Sequence, residues 1–186
     1  MAEQFRHAPW PALRSGPMAV SVPPPGSRGS RFPKFPGWLA RFFGRLQLRS
    51  YRRNRGGRTQ GGVPALMLET IGARSGEPRH AMLGYLEDGP GAWLVIASLA
   101  GSARNPGWLY NLARNPHARI ELGDGRRIEV SATTLAGPEL DSAWERIAAE
   151  APEYAKYLNV TDRRMPVVRL REIEPKPATA KGRTPA

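Results

Sequence analysis

Two glycines, a serine and two arginines stand close together in Glu69-Thr70-Ile71-Gly72-Ala73-Arg74-Ser75-Gly76-Glu77-Pro78-Arg79. Successive N–H groups of such a turn form a concave nest for an anion, and arginine adds a forked grip on phosphate or carboxylate. Glycine lets the backbone come close to a ligand or take φ > 0, which side chains forbid elsewhere. The plainer reading is a hairpin turn with two solvated arginines. A second stretch, residues 97–112 (ASLAGSARNPGWLYNL), loops through small residues and enters a short helix carrying Trp108 and Asn111. Tyr154, Tyr157 and Thr161-Asp162-Arg163-Arg164 make a third block.

Other chemistries are missing from the chain. It has no cysteine, so disulfides, thiolate metal sites and thiol nucleophiles are excluded. His7, His80 and His117 have no metal-ligand spacing, and no metal site is expected. There is no paired-carboxylate motif and no Ser-His-Asp signature. No apolar run approaches the roughly 18 residues of a membrane span, and no secretory h-region is evident. A cytoplasmic location is expected.

The elements that must position these residues are legible from pattern. Strands are predicted at 64–70, 79–87, 92–98, 117–122, 126–135 and 166–172. Residues 88–91 and 123–125 read as hairpin turns. A short helix from Gly107 stops at Asn115-Pro116, and a longer one runs from Gly137 to about Ala149 with Leu140, Ala143, Trp144 and Ile147 inward. After Ala151-Pro152 a further helical turn carries the two tyrosines. Many short antiparallel strands with few helices favour a barrel over a βαβ sheet.

Charge is unevenly placed. Residues 1–58 hold twelve Arg/Lys against one acid, net +11; the remainder holds sixteen against fifteen, net +1. Residues 1–35, with Pro23-Pro24-Pro25-Gly26, read as a disordered basic leader. Residues 36–58 read as a basic amphipathic helix: Trp38, Leu39, Phe42, Phe43 and Leu46 share one side, and Arg41, Arg45 and Arg49 follow at i, i+4, i+8. Such a helix either lies in an anionic membrane interface, at the inner face of the cell membrane, or packs on the barrel with a solvated basic face. Nucleic-acid binding finds no reading motif here. Residues 59–175 form the domain and 176–186 a flexible tail.

Residues 71–79, 97–112, 154–157 and 161–166 together resemble the deazaflavin-dependent nitroreductase family, over about 38–175. The resemblance implies a split β-barrel of the FMN-binding type, mainly β (α+β), with short flanking helices. It implies hydride transfer from reduced coenzyme F420 to a quinone, nitroaromatic or enone. By the same resemblance Ala73, Arg74, Ser75 and Arg79 hold the cofactor's phosphate and polyglutamate tail. His80, Ala81, Met82, Leu83 and Gly84 run along it, and Ile96, Ala97, Ser98 and Leu99 lie by the ring. Gly107, Trp108 and Asn111 supply a wall and a polar contact. Ser98 and Tyr154 are the expected catalytic residues, and Tyr154 and Tyr157 the expected substrate pocket. A phenol there can donate to a quinone or nitro oxygen as the hydride arrives. The pattern departs from the family at Leu99, where lysine is usual, at Asn105, where histidine is usual, and at Ala151, an aromatic position upstream of the tyrosines. Arg104 is the candidate to replace the missing charge, and a small Ala151 predicts a roomier pocket. Asp162 with Arg163 reads as a structural ion pair. Removing residues through Arg58 is expected to abolish membrane binding and spare cofactor binding. Other readings are an FMN- or heme-binding split barrel and a non-catalytic deazaflavin carrier at the membrane. The chain is expected as a monomer or homodimer.

Overall fold

The structure is a computed structural model describing residues 20–33, 35–59 and 62–173; the predicted tail at 176–186 and most of the leader fall outside these. Six strands close into an antiparallel barrel: β1 (Ala65–Ile71), β2 (Pro78–Glu87), β3 (Ala92–Ile96), β4 (His117–Glu121), β5 (Arg127–Thr134) and β6 (Val167–Glu172), in the order β1-β2-β3-β6-β5-β4. Helices α1 (Gly37–Arg53), α2 (Gly107–Arg114), α3 (Gly137–Glu150) and α4 (Pro152–Val160) flank it. The predicted elements are all present, with ends shifted by one or two residues, except that the helix predicted over 36–58 ends five residues early, at Arg53. β3 stops at Ile96, because Ala97 and Ser98 turn away into a loop.

Alternation along the strands divides the apolar residues into an interior and two outer packings. Leu66, Leu68, Trp93, Val95, Ile120, Val130, Val168 and Leu170 fill the barrel, joined by Trp108, Leu109 and Leu112 of α2. Each such buried side chain contributes about 1.5–3 kcal/mol. On the outside, Leu94, Ile96 and Val167 receive Ala143, Ile147 and Ala151 of α3 and its end. Ala65 and Met67 receive Tyr51 of α1.

β2 creates the split in the barrel. All of it from Pro78 to Gly84 pairs with β1, but only Tyr85, Leu86 and Glu87 pair with β3. The other edge of residues 78–84 therefore faces a groove, and α1 packs along that stretch. Gly44 permits the approach: a Cβ there would sit 3.1 Å from the His80 carbonyl. Gln47 Oε1 accepts the Met82 N–H at 3.2 Å.

α1 docks differently from the amphipathic reading. Gly44, Leu48 and Tyr51 meet the barrel, while Trp38 (65% exposed), Phe42 (58%) and Leu46 (51%) do not. The apolar stripe thus faces away from the barrel wall. Two polar anchors decide this. The buried Tyr51 hydroxyl lies 2.9 Å from the Ala65 carbonyl and 3.0 Å from that of Glu121, and burial pushes its pKa up to about 12. Arg52 forks onto the Glu121 carboxylate, whose pKa is lowered chiefly by that bond.

The leader reading also changes over residues 20–33, which lie against the barrel as a strap. Val20 is buried in the interior cluster. Gly26 N–H donates to Ala103 O (2.8 Å) and Ser30 N–H to Gly101 O (2.9 Å). Composition alone suggested a linker, but the strap's backbone groups find partners on the 97–105 loop and at Thr161 and Asp162, so a segment poor in large side chains is still held. Among the described residues no helix is long and apolar enough to cross a membrane.

Candidate functional site

A groove of about 860 Å³ runs between α1, β2, the 97–106 loop and α2. A second depression of about 520 Å³ continues it over the 72–79 turn; both are lined by Arg79, Gly107 and Asn111. Of the residues expected to hold a cofactor, His80, Ala81, Met82, Leu83, Gly84, Ile96, Ser98, Leu99 and Trp108 line the first and Ala73, Arg74 and Ser75 the second. Ala97 is fully buried behind the lining.

The polar end is built on the β1–β2 turn. Asn111 ties it to α2: its Oδ1 accepts the Ala73 N–H (2.9 Å) and its Nδ2 donates to Thr70 Oγ1 (2.9 Å). Ser75 Oγ accepts from Arg79 Nη2 at 2.9 Å and so aims the guanidinium. Arg79 Nη1 is buried without a hydrogen-bond partner among the described residues. Its pKa is lowered, first by burial and then by repulsion from Arg41 on α1, with Glu77 opposing. A half-buried, unsatisfied cation beside a second cation calls for an anion.

The same groove has an apolar wall. Phe32 of the strap, Phe35 just before α1, and Phe43 and Leu46 of α1 line it, with Phe35 and Phe43 at 5.3 Å and Phe42 and Phe43 at 5.9 Å between ring centroids. Sequence reading missed this wall because the stripe was assigned to a membrane or to the barrel.

Tyr154 lines the same groove further along β2, at Gly84. Burial raises its pKa, opposed by hydrogen bonds involving Thr59 and the Gly84 backbone, so the phenol is neutral at ordinary pH. Gly84 has to be glycine here, since a Cβ would collide with the Tyr154 hydroxyl. Tyr157 packs edge-on against Tyr154 at 6.0 Å and near Gly101, behind the groove lining. Ala151 is fully buried among the α3 and β3 side chains and does not widen the groove. Its small size lets α3 turn sharply into α4.

Three further expectations move. Arg104 Nη2 donates to the Phe32 carbonyl, so its charge is spent on the strap. Asn105 is buried, donating to Pro23 O (2.7 Å) and accepting from Arg163 (2.9 Å). Asp162 and Arg163 are not paired: Asp162 accepts from the Ser27 hydroxyl first, and from the Arg28 and Ser27 N–H groups, which lower its pKa to about 2. Arg163 instead lies 3% exposed, buried behind Ser98. Among the described residues no cluster of three His, Asp or Glu could hold a metal ion.

A split barrel with an anion-seeking arginine at one end of an apolar groove defines a binding protein for a flat, phosphate-bearing cofactor. The comparisons narrow this. The model of the F420H(2)-dependent quinone reductase family matches residues 43–172. An F420H(2)-dependent quinone reductase of Mycobacterium tuberculosis is 37% identical over 143 residues, covering 72% of this chain and 95% of that protein. A solved F420-H2 dependent reductase shares 30% identity with a TM-score of 0.52, covering 57% of this chain and 93% of its own. A solved domain-swapped dimer shares 28% identity with a TM-score of 0.54, covering 70% and 97%. The chain belongs to the F420H(2)-dependent quinone reductase family, and is an oxidoreductase.

Proposed function

We propose that this protein takes reduced coenzyme F420 along the groove and passes its hydride to a quinone. The observation that carries the reading is the unpartnered Arg79 Nη1, buried where the polar depression opens into the apolar groove. Arg79, Ser75 and Arg74 would hold the phosphate and glutamate tail, since forked guanidinium and hydroxyl donors match phosphate and carboxylate oxygens. Gly84 leaves the space beside β2 that the Tyr154 hydroxyl occupies, which brings the phenol to the groove lining.

When bound, the cofactor supplies the hydride. The chain's contribution is position, exclusion of water and hydrogen bonding. Trp108 and Leu83 would give the ring an apolar bed, and Ser98 and Leu99 would border its edge. Tyr154, kept neutral, would donate to an acceptor oxygen as charge builds on it. Phe32, Phe35, Phe43 and Leu46 would hold the acceptor against the ring and exclude water. Nitroaromatics and enones fit the same description, as flat acceptors with one oxygen to be reduced or polarised.

Trp38, Phe42, Arg45 and Arg49 are all exposed on α1, the helix that walls the groove. We read them as a peripheral contact for an anionic membrane, from which a lipophilic quinone could enter. The deletion through Arg58 is the wrong test, because it removes Phe43, Leu46 and the Tyr51 and Arg52 anchors. A Trp38→Ser/Phe42→Ser protein should stop sedimenting with anionic liposomes and keep its cofactor affinity. Continued sedimentation would sink the membrane contact.

The function itself is tested by titrating the purified protein with reduced F420 and following fluorescence, then adding menadione. Micromolar binding followed by cofactor oxidation is expected. Retained FMN with no response to F420 would overturn the reading, and binding without oxidation of the cofactor by any quinone would leave a carrier.

A further inference from the structure

The loop that brings Ser98, Leu99 and Ala100 to the groove is strained. Leu99 has φ 44° and Ala100 φ 51°, two non-glycine residues in succession in the left-handed region. Side chains are disfavoured there by the contact of Cβ with the following carbonyl oxygen, and Gly101 follows with φ 71°. Such a backbone persists only where its surroundings over-determine it.

Arg163 supplies that constraint. Its Nη2 donates to Ala97 O and Ser98 O (both 2.9 Å), its Nε to Ser102 O (3.0 Å), and its Nη1 to Asn105 Oδ1 (2.9 Å) and Arg164 O (3.3 Å). All the guanidinium's N–H groups are thereby used, every acceptor is neutral, and four of them lie on the loop. The buried charge is therefore stabilised by oriented peptide dipoles instead of by a carboxylate. A positive charge on the Ser98 carbonyl also polarises the Ser98–Leu99 peptide, making the Leu99 N–H a better donor.

The same hub reaches the strap. Asn105, held by Arg163, donates to Pro23 O; Thr161 Oγ1 accepts the Arg163 N–H (3.1 Å) and donates to Arg28 O (2.9 Å). Ser30 Oγ closes the circuit by donating to Ala100 O (2.7 Å).

We propose that Arg163 is a positioning residue for hydride transfer: from behind the groove its guanidinium fixes the left-handed turn at Leu99 and Ala100, and with it the ring-facing backbone, and locks that turn to the N-terminal strap. This rests on the proposed function for its catalytic consequence, and not for its structural one. Lysine cannot replace it, since an ammonium has three donors at one point and cannot span four acceptors spread along a loop.

The test uses the full chain with Arg163→Lys and Arg163→Met. Amide hydrogen exchange of the ligand-free proteins is followed by mass spectrometry, together with turnover of reduced F420 with menadione. In Arg163→Lys, peptides covering 97–105 and 20–33 should exchange about tenfold faster while β1, β4 and β5 keep their protection. Turnover should fall about tenfold in kcat with the menadione KM within about twofold. Asn105→Ala, which cuts one arm of the hub, should shift the same peptides less, and serves if Arg163→Met does not fold. A folded Arg163→Lys protein whose loop exchanges as the parent's does, or whose loss lies in KM alone, would overturn the proposal. If exchange responds while the parent itself never oxidises F420, the structural role stands and the functional reading fails.

Discussion

The 72–79 turn and the 97–106 loop both follow a barrel strand, both are rich in small residues, and both border the groove. They are built on opposite principles. The turn is exposed at Arg74, Ser75, Gly76 and Glu77 and is tied to the body mainly through Asn111 at Ala73. The loop is held by Arg163 from below and by Ser30, Gly26 and Pro23 from the strap. A segment that offers flexible guanidiniums to an anion can tolerate motion, because the side chains adjust. One that would border a flat ring with its backbone cannot, because the backbone itself would be the contact.

Substitutions can break this contrast. Arg79→Ala should do most damage at the turn, costing about 2–3 kcal/mol of cofactor binding, on the order of a hundredfold in Kd by fluorescence titration, with Tm unchanged. If Tm falls as far as affinity, the turn is not the loosely held element described here. Gly29→Ala should show the reverse pattern at the loop. Its Cβ would collide with Ala103 N, and backbone cannot move aside cheaply, so about 1–3 kcal/mol of stability should go, visible as a drop of a few degrees in Tm. Arg74→Ala should weaken cofactor binding only about fivefold, and that loss should vanish at high salt, since exposed charges are screened and the half-buried Arg79 less.

The smallest effect concerns the strap at low pH. Asp162 is fully exposed, and its pKa falls from 3.8 to about 2 through bonds from Ser27 and Arg28. A carboxylate with a depressed folded-state pKa contributes stability above its unfolded value and loses it as pH falls through the folded one. Amide protection at Ser27 and Arg28 should therefore fade between about pH 4 and pH 2, and Asp162→Asn should remove that dependence.

Much of the barrel was legible because alternation in 117–122 and 126–135 and the turns at 88–91 and 123–125 are local signals. The residues of the groove floor, from His80 to Gly84, could be named through family resemblance. What escaped was non-local. Arg163 sits beside Asp162, and adjacency suggested a pair; nothing in sequence says that one turns outward to the strap and the other inward to a loop about sixty residues away. The strap hid in the same manner, its Pro-Pro-Pro-Gly run having the composition of a linker and the hydrogen bonding of an edge. The helix stripe misled differently. Trp38, Phe42 and Leu46 do form one face, but Gly44 and the Tyr51 hydroxyl choose the opposite face for docking.

The half-paired edge of β2 has a consequence beyond the groove. An unpaired run of strand N–H and C=O groups is a template on which another chain can add a strand. Here α1 lies along it, with Gly44 close against His80 O and Gln47 on the Met82 N–H. The helix that walls the groove is thus also a guard against self-assembly. A shortened chain without it would fail first by precipitating, and a loss of activity in such a chain would say nothing about the chemistry.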